Sequence, residues 1–165
     1  MKTAISPKEN PMRFTDPRLT LDAFRDEVLV RCPRCNACAT VRLADPTRTD
    51  LFAPRRFSCL ACGATKDWAG KEIGSSGESP VDDFFHYPLW LQIPCCGHTL
   101  WAYNLRHLDF LEAFVAAKLR ERQPDEQAGW SNRSLFSRLP RWMRSRKNRE
   151  VILKSIEKLR QSIPN

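Results

Sequence analysis

The stretch that decides the fold lies between Val28 and Gly63. It opens with Val28-Leu29-Val30-Arg31-Cys32-Pro33-Arg34-Cys35-Asn36 and closes with Arg55-Arg56-Phe57-Ser58-Cys59-Leu60-Ala61-Cys62-Gly63. Two Cys-x-x-Cys pairs, 23 residues apart, each follow a short run rich in strand formers. A tight turn at each pair lets backbone N–H groups face the sulfurs and aims both thiolates at one point. Two such turns side by side place four thiolates in a tetrahedron, the arrangement that suits Zn²⁺. Gly63 follows the second pair and permits positive φ, and Asn36, the next most tolerant residue type, holds the matching place after the first. Arg31, Arg34, Arg55 and Arg56 flank the pairs, and their field favours deprotonated sulfur. The spacing predicts strands at Val28–Arg31, Ala39–Leu43, Arg55–Ser58 and Thr65–Trp68, with Cys32, Cys35, Cys59 and Cys62 as ligands of a structural Zn²⁺.

This pattern over Val28–Trp68 resembles that of zinc ribbons, a class uniform in fold and mixed in role. Four thiolates leave no open coordination position, and the metal supplies folding energy that ~40 residues do not find in an apolar core. Redox Cys-x-x-Cys chemistry belongs to helix starts in βαβ units, which this stretch does not resemble. Iron in a rubredoxin-like site fits the same spacing as zinc. Cys38 is read as a spare thiol.

Working outward, the chain has 165 residues, 27 Lys+Arg against 19 Asp+Glu, and formal net charge +8. A hydrophobic content of 42% supports a packed core and excludes wholesale disorder. No run of eighteen apolar residues suggests a membrane span, and Met1–Asn10 lacks the apolar core of a secretory signal. Seven cysteines in that context point to a reducing, cytoplasmic setting and to metal rather than disulfides.

Residues 1–27 are expected to be partly disordered, with Phe14, Leu19, Leu21 and Phe24 available to dock on a core. Residues 28–68 form the ribbon and 69–80, rich in Gly and Ser, a linker. Residues 81–122 read as a Trp-rich hairpin plus helix. The strands are Leu89–Ile93 and Thr99–Tyr103, joined by the turn-forming Pro94-Cys95-Cys96-Gly97-His98. Asn104 caps a helix expected to reach about Glu121, with Leu105, Leu108, Leu111, Val115 and Leu119 recurring at helical steps. Residues 123–165 form a basic helical region: Ser131 or Asn132 can cap a short helix carrying Leu135, Phe136 and Leu139, Pro140 suits the first turn of another through Trp142 and Met143, and a last helix runs from about Lys147 to Gln161. The fold class is thus α+β: an N-terminal Cys₄ zinc ribbon of antiparallel strands, a β-hairpin, then about three C-terminal helices. Trp90, Trp101, Tyr103, Phe110, Phe114 and Trp142 are the core candidates.

Residues 118–165 hold thirteen basic and five acidic groups, a net +8 that equals the excess of the whole chain. Arg138, Arg141, Arg144, Arg146, Lys147 and Arg149 form a run free of acidic residues, with Trp142 among them. Such a run neutralises phosphates, and an aromatic can stack on a base. The expectation is a non-enzymatic accessory protein that binds DNA or RNA. The alternative is a protein–protein adaptor with Trp68, Trp90 or Trp130 as anchors. Cys95, Cys96 and His98 are candidates for a second metal or thiol site, with His86 or His107 as further ligands. Adjacent cysteines diverge on a strand, which weighs against it. No Gly-rich phosphate loop, G-x-S-x-G or H-E-x-x-H motif is present, and the adjacent carboxylates Asp82 and Asp83 are a weak cue.

Pro88-Leu89-Trp90-Leu91-Gln92, Leu100-Trp101-Ala102-Tyr103-Asn104, Leu108-Asp109-Phe110-Leu111-Glu112 and Leu139-Pro140-Arg141-Trp142-Met143 look like stretches of a family of small uncharacterised bacterial zinc-ribbon proteins. The resemblance spans nearly the whole chain. It implies one architecture for ribbon, hairpin and helices and a bacterial cytoplasmic setting, and it brings no activity, substrate or partner.

Overall fold

The computed structural model describes residues 13–70, 73, 80–122, 124, 126–127 and 129–165. The expected disorder of residues 1–10 lies outside these, and the expected 69–80 linker lies mostly outside them. The mixed α and β fold is as expected. In chain order the elements are β1 (Arg13–Thr15), a 3-10 turn (Leu21–Phe24), β2 (Glu27–Arg31), β3 (Cys38–Leu43), β4 (Arg55–Ser58) and β5 (Thr65–Trp68). Then follow β6 (Leu91–Cys95), β7 (His98–Ala102), α1 (Leu105–Ala116), β8 (Leu119–Glu121), α2 (Leu135–Arg138), α3 (Arg141–Arg144) and α4 (Arg149–Gln161).

Strands β2 to β5 form one antiparallel sheet in sequence order. Val28, Leu29 and Val30 are consecutive and all buried, so β2 has neighbours on both faces. Its free edge does not face water. Leu29 N–H donates to Tyr103 O at 2.8 Å, Trp90 N–H to Leu29 O at 2.9 Å, and Arg31 N–H to Pro88 O at 2.8 Å. The hairpin is thereby stitched to the ribbon through backbone hydrogen bonds.

The hairpin turn is tighter than the five residues expected. Cys95 pairs directly with His98, leaving Cys96 and Gly97 as a two-residue turn. Both have positive φ, 52° and 76°, the backbone that follows the right-handed twist of the strands.

Helix α1 begins as read. Asn104 Oδ1 accepts from His107 N–H, while Asn104 Nδ2 donates to Phe24 O and Glu27 O at 2.9 and 2.7 Å. It ends five residues early. Ala117 is extended, and Leu119–Glu121 instead pairs in parallel with Arg13–Thr15. The helical propensity of Lys118–Arg122 yields to tertiary pairing, because Phe14 on β1 packs edge-on against Phe110 and Phe114 and stacks on Phe136. The N-terminal segment from residue 13 is thus ordered and docked.

Val28 and Val30, Phe57, Leu89, Leu91, Tyr103, Phe114, Ile152 and Ile156 belong to one continuous apolar cluster. Helix α4 contributes Ile152, Ile156 and Leu159 and turns Lys154 and Lys158 outward. Of the six core candidates, Tyr103, Phe110 and Phe114 are buried and Trp90, Trp101 and Trp142 are half-buried. An indole is large and carries an N–H that needs a partner, so it settles at the edge of a core. Trp90 Nε1 accordingly donates to Ser162 O at 3.0 Å, and the Arg31 guanidinium lies over its ring at 4.9 Å.

Candidate metal centre and basic surface

Each Cys-x-x-Cys pair closes the turn between two neighbouring strands, and the two turns are built alike. In the first, Cys32 N–H donates to Ala37 O and Asn36 N–H donates to Cys32 O, both at 2.9 Å. In the second, Cys59 N–H donates to Ala64 O and Gly63 N–H to Cys59 O, again both at 2.9 Å. Asn36 and Gly63 take φ of 62° and 72°, the tolerance their residue types were read as supplying.

Cys32, Cys35, Cys59 and Cys62 converge with all four sulfurs within 4.8 Å of one another. Cys32 Sγ lies 3.7 Å from Cys62 Sγ, and Cys35 Sγ lies 3.6 Å from Cys59 Sγ. A tetrahedron with metal–sulfur bonds of about 2.3 Å has edges of about 3.8 Å, so the donor set fits a tetrahedral ion. Without the ion the sulfurs share protons unequally. Burial opposes the Cys32 thiolate, yet the Arg34 and Cys35 N–H groups outweigh it and bring Cys32 down to about 7. The Ala37 N–H favours the Cys35 thiolate, but desolvation and the neighbouring sulfurs push Cys35 up to about 12. A cation held at the centre would relieve that competition.

The flanking arginines do not all serve this centre. Arg34 contributes its N–H, 3.4 Å from Cys32 Sγ. Arg55 is buried: its guanidinium donates to Arg25 O and lies over the Phe84 ring at 4.3 Å. Arg56 pairs with Asp67 at 2.8 Å. Cys38 sits half-buried on β3, and desolvation pushes its thiol up to about 11, as suits a spare thiol.

Among the described residues, the Cys₄ group is the one cluster of three or more ligand atoms near enough to share an ion. Cys95 and Cys96 approach to 3.8 Å between sulfurs, but His98 does not join them. Its ring stacks on Trp142 at 4.9 Å with 6° between planes. The second metal site weighed from sequence is therefore not assembled, because His98 points across the hairpin toward α3. His107 is a hydrogen-bonded core histidine whose Nδ1 accepts from Tyr103 N–H at 3.1 Å. Asp82 is structural as well: Oδ1 accepts from Phe84 and Phe85 N–H and Oδ2 from Tyr87 N–H.

The six basic residues of the C-terminal run divide into two sets. Arg138, Arg141, Arg146 and Lys147 are exposed, and none is paired with a carboxylate among the described residues. Arg144 and Arg149 are half-buried and serve backbone carbonyls. Arg144 donates to Phe136 O at 2.6 Å and to Ser137 O and Leu139 O at 3.3 Å. Arg149 donates to Val115 O at 3.1 Å and Ala117 O at 3.3 Å. Arg120, which the sequence did not single out, joins them through Phe114 O at 2.7 Å and Arg144 O at 3.2 Å. These guanidiniums satisfy the carbonyls left open at the C-termini of α1 and α2. Arg120, shortly after α1, was the one local signal; Arg144 and Arg149 reach these carbonyls from α3 and the start of α4, and their spacing gives none.

No family model, curated protein or solved structure matches the chain.

Proposed function

We propose that the chain is a non-enzymatic accessory protein that holds one structural Zn²⁺ and binds nucleic acid through its exposed basic surface. The choice of zinc rests on the donor chemistry: four thiolates at tetrahedral spacing saturate the ion and leave no position for substrate. The observation that carries the binding role is the set Arg138, Arg141, Arg146 and Lys147, four exposed cations with no carboxylate partner among the described residues. Exposed cations that serve no internal contact are free to neutralise phosphates. Arg144 and Arg149 hold the backbone on which this set is displayed.

The test is a fluorescence-anisotropy titration of a labelled oligonucleotide, single- and double-stranded, across a range of salt. Four phosphate contacts predict a slope of log affinity on log salt of roughly −3 to −4. Replacing Arg141, Arg146 and Lys147 by Gln together should flatten that slope. Absence of binding at low salt overturns the proposal.

A second reading has one specific observation in its favour. Leu60 stands at the tip of the second metal knuckle and is 99% exposed, while Trp130 is 67% exposed. An apolar side chain presented on a metal-fixed turn suits contact with a protein partner. A partner that survives nuclease treatment and is lost with Leu60→Asp would favour this adaptor role.

A further inference from the structure

Between the 3-10 turn, the hairpin, α1 and the α2–α3 segment lies a cavity of about 760 Å³. It is within the size range of sites that enclose small organic ligands. Leu21, Leu100, Trp101, Leu139 and Met143 give it apolar walls.

Polar side chains line it too, and two kinds matter here: a buried histidine and a set of guanidiniums. His107 lines the cavity and is only 2% exposed. Its Nδ1 accepts the Tyr103 N–H, so the neutral ring carries its proton on Nε2, and Nε2 has no partner among the described residues. The ring is fixed in place, stacked on Phe24 at 4.9 Å with Trp101 edge-on at 5.7 Å. His107 is a lining residue, so this N–H is a donor available to an occupant of the cavity. Arg133 and Arg138 also line the cavity; both are exposed, and neither is paired with a carboxylate among the described residues. Arg25 is the third guanidinium, but Asp22 and Asp83 already hold it. The uncompensated charge therefore sits on Arg133 and Arg138, at the solvent side, with a neutral N–H donor deep inside.

We propose that this cavity binds a small aromatic organic acid carrying a hydroxyl or carbonyl acceptor. The acid group pairs with Arg133 and Arg138, the ring lies among the apolar walls, and the acceptor takes the His107 Nε2–H. A guanidinium fork matches a carboxylate in two parallel hydrogen bonds, which makes the acid end specific. The site is independent of the nucleic-acid reading and shares only Arg138 with it.

The test uses 6-hydroxy-2-naphthoate as probe in isothermal titration calorimetry with the full metal-loaded chain. Saturable binding is expected with one site per chain. It should be at least about tenfold tighter than for the neutral 2-naphthol and tighter than for 2-naphthoate, which lacks the acceptor. Arg133→Gln with Arg138→Gln should weaken it about tenfold. Leu139→Trp, which fills the cavity, should abolish it. The Arg141→Gln/Arg146→Gln/Lys147→Gln variant should bind as the wild type does, which separates this site from the polyanion surface. His107→Phe should remove the preference for the hydroxylated probe, and the comparison of the two naphthoates on wild type tests the same contact without that variant. No saturable binding, equal affinity for 2-naphthol, or undiminished binding by Leu139→Trp each overturns the proposal.

Discussion

Leu29 N–H donates to Tyr103 O at 2.8 Å, so the strand that leads into the first metal knuckle is also a strand of the hairpin's neighbourhood. The Cys₄ group and the core are therefore coupled through β2, which has hydrogen-bonded neighbours on both edges. Freshly purified protein is expected to hold one zinc per chain by elemental mass spectrometry, and Cys59→Ser/Cys62→Ser to hold none. Chelation should change the near-ultraviolet circular dichroism of the tryptophans, because Trp90 and Trp101 pack on the shared core. A metal-free chain with an unchanged tryptophan signal would show that the ribbon melts alone.

Asn104 answers three backbone groups at once: His107 N–H, Phe24 O and Glu27 O. Asn104→Ala removes a helix cap and strands two carbonyls, at a cost of about 2–4 kcal/mol. Urea unfolding checks this. A loss under about 1 kcal/mol would mean that water replaces all three contacts.

The arginines give a contrast within one short segment. Arg144→Met should cost about 1–3 kcal/mol of stability, since it leaves Phe136, Ser137 and Leu139 carbonyls without their donor. Arg141→Gln should leave stability within about 0.5 kcal/mol and lower oligonucleotide affinity instead. Unfolding curves and anisotropy on the same pair of variants separate holding from binding.

That contrast also marks how far the sequence carries. The Cys-x-x-Cys spacing, the four ribbon strands and the Asn104 cap were legible because each is set by residues within a few positions of one another. The end of α1 was not. Lys118–Arg122 is a good helix by propensity, and what unwinds it is Phe14, about a hundred residues earlier, bringing β1 alongside β8. The division of the basic run was equally hidden, because Arg144 and Arg141 differ only in which carbonyls lie within reach.

Burial holds His107 well below the usual imidazole range, down to about 3. The unfolded chain takes up this proton near pH ~6.5, so between about 3 and 6.5 it binds a proton that the folded chain does not. The stability contributed by the neutral ring is whole above that window and falls as pH drops through it, by up to ~1.4 kcal/mol per unit. Urea midpoints from neutral to mildly acid pH should therefore fall more steeply for wild type than for His107→Gln. Parallel curves would mean that the ring is protonated in place.

The double edge of β2 has a consequence for how the chain is made. The ribbon is complete once Trp68 has been added, yet the partner that covers the far side of Val28–Val30 ends at Tyr103, 35 residues later. At ~5–20 residues per second that interval is roughly 2–7 s. During it a finished sheet presents an apolar strand with unmatched N–H and C=O groups, the kind of edge on which chains aggregate. Slowing synthesis between these two points lengthens the exposure, and a chain cut short there keeps it permanently.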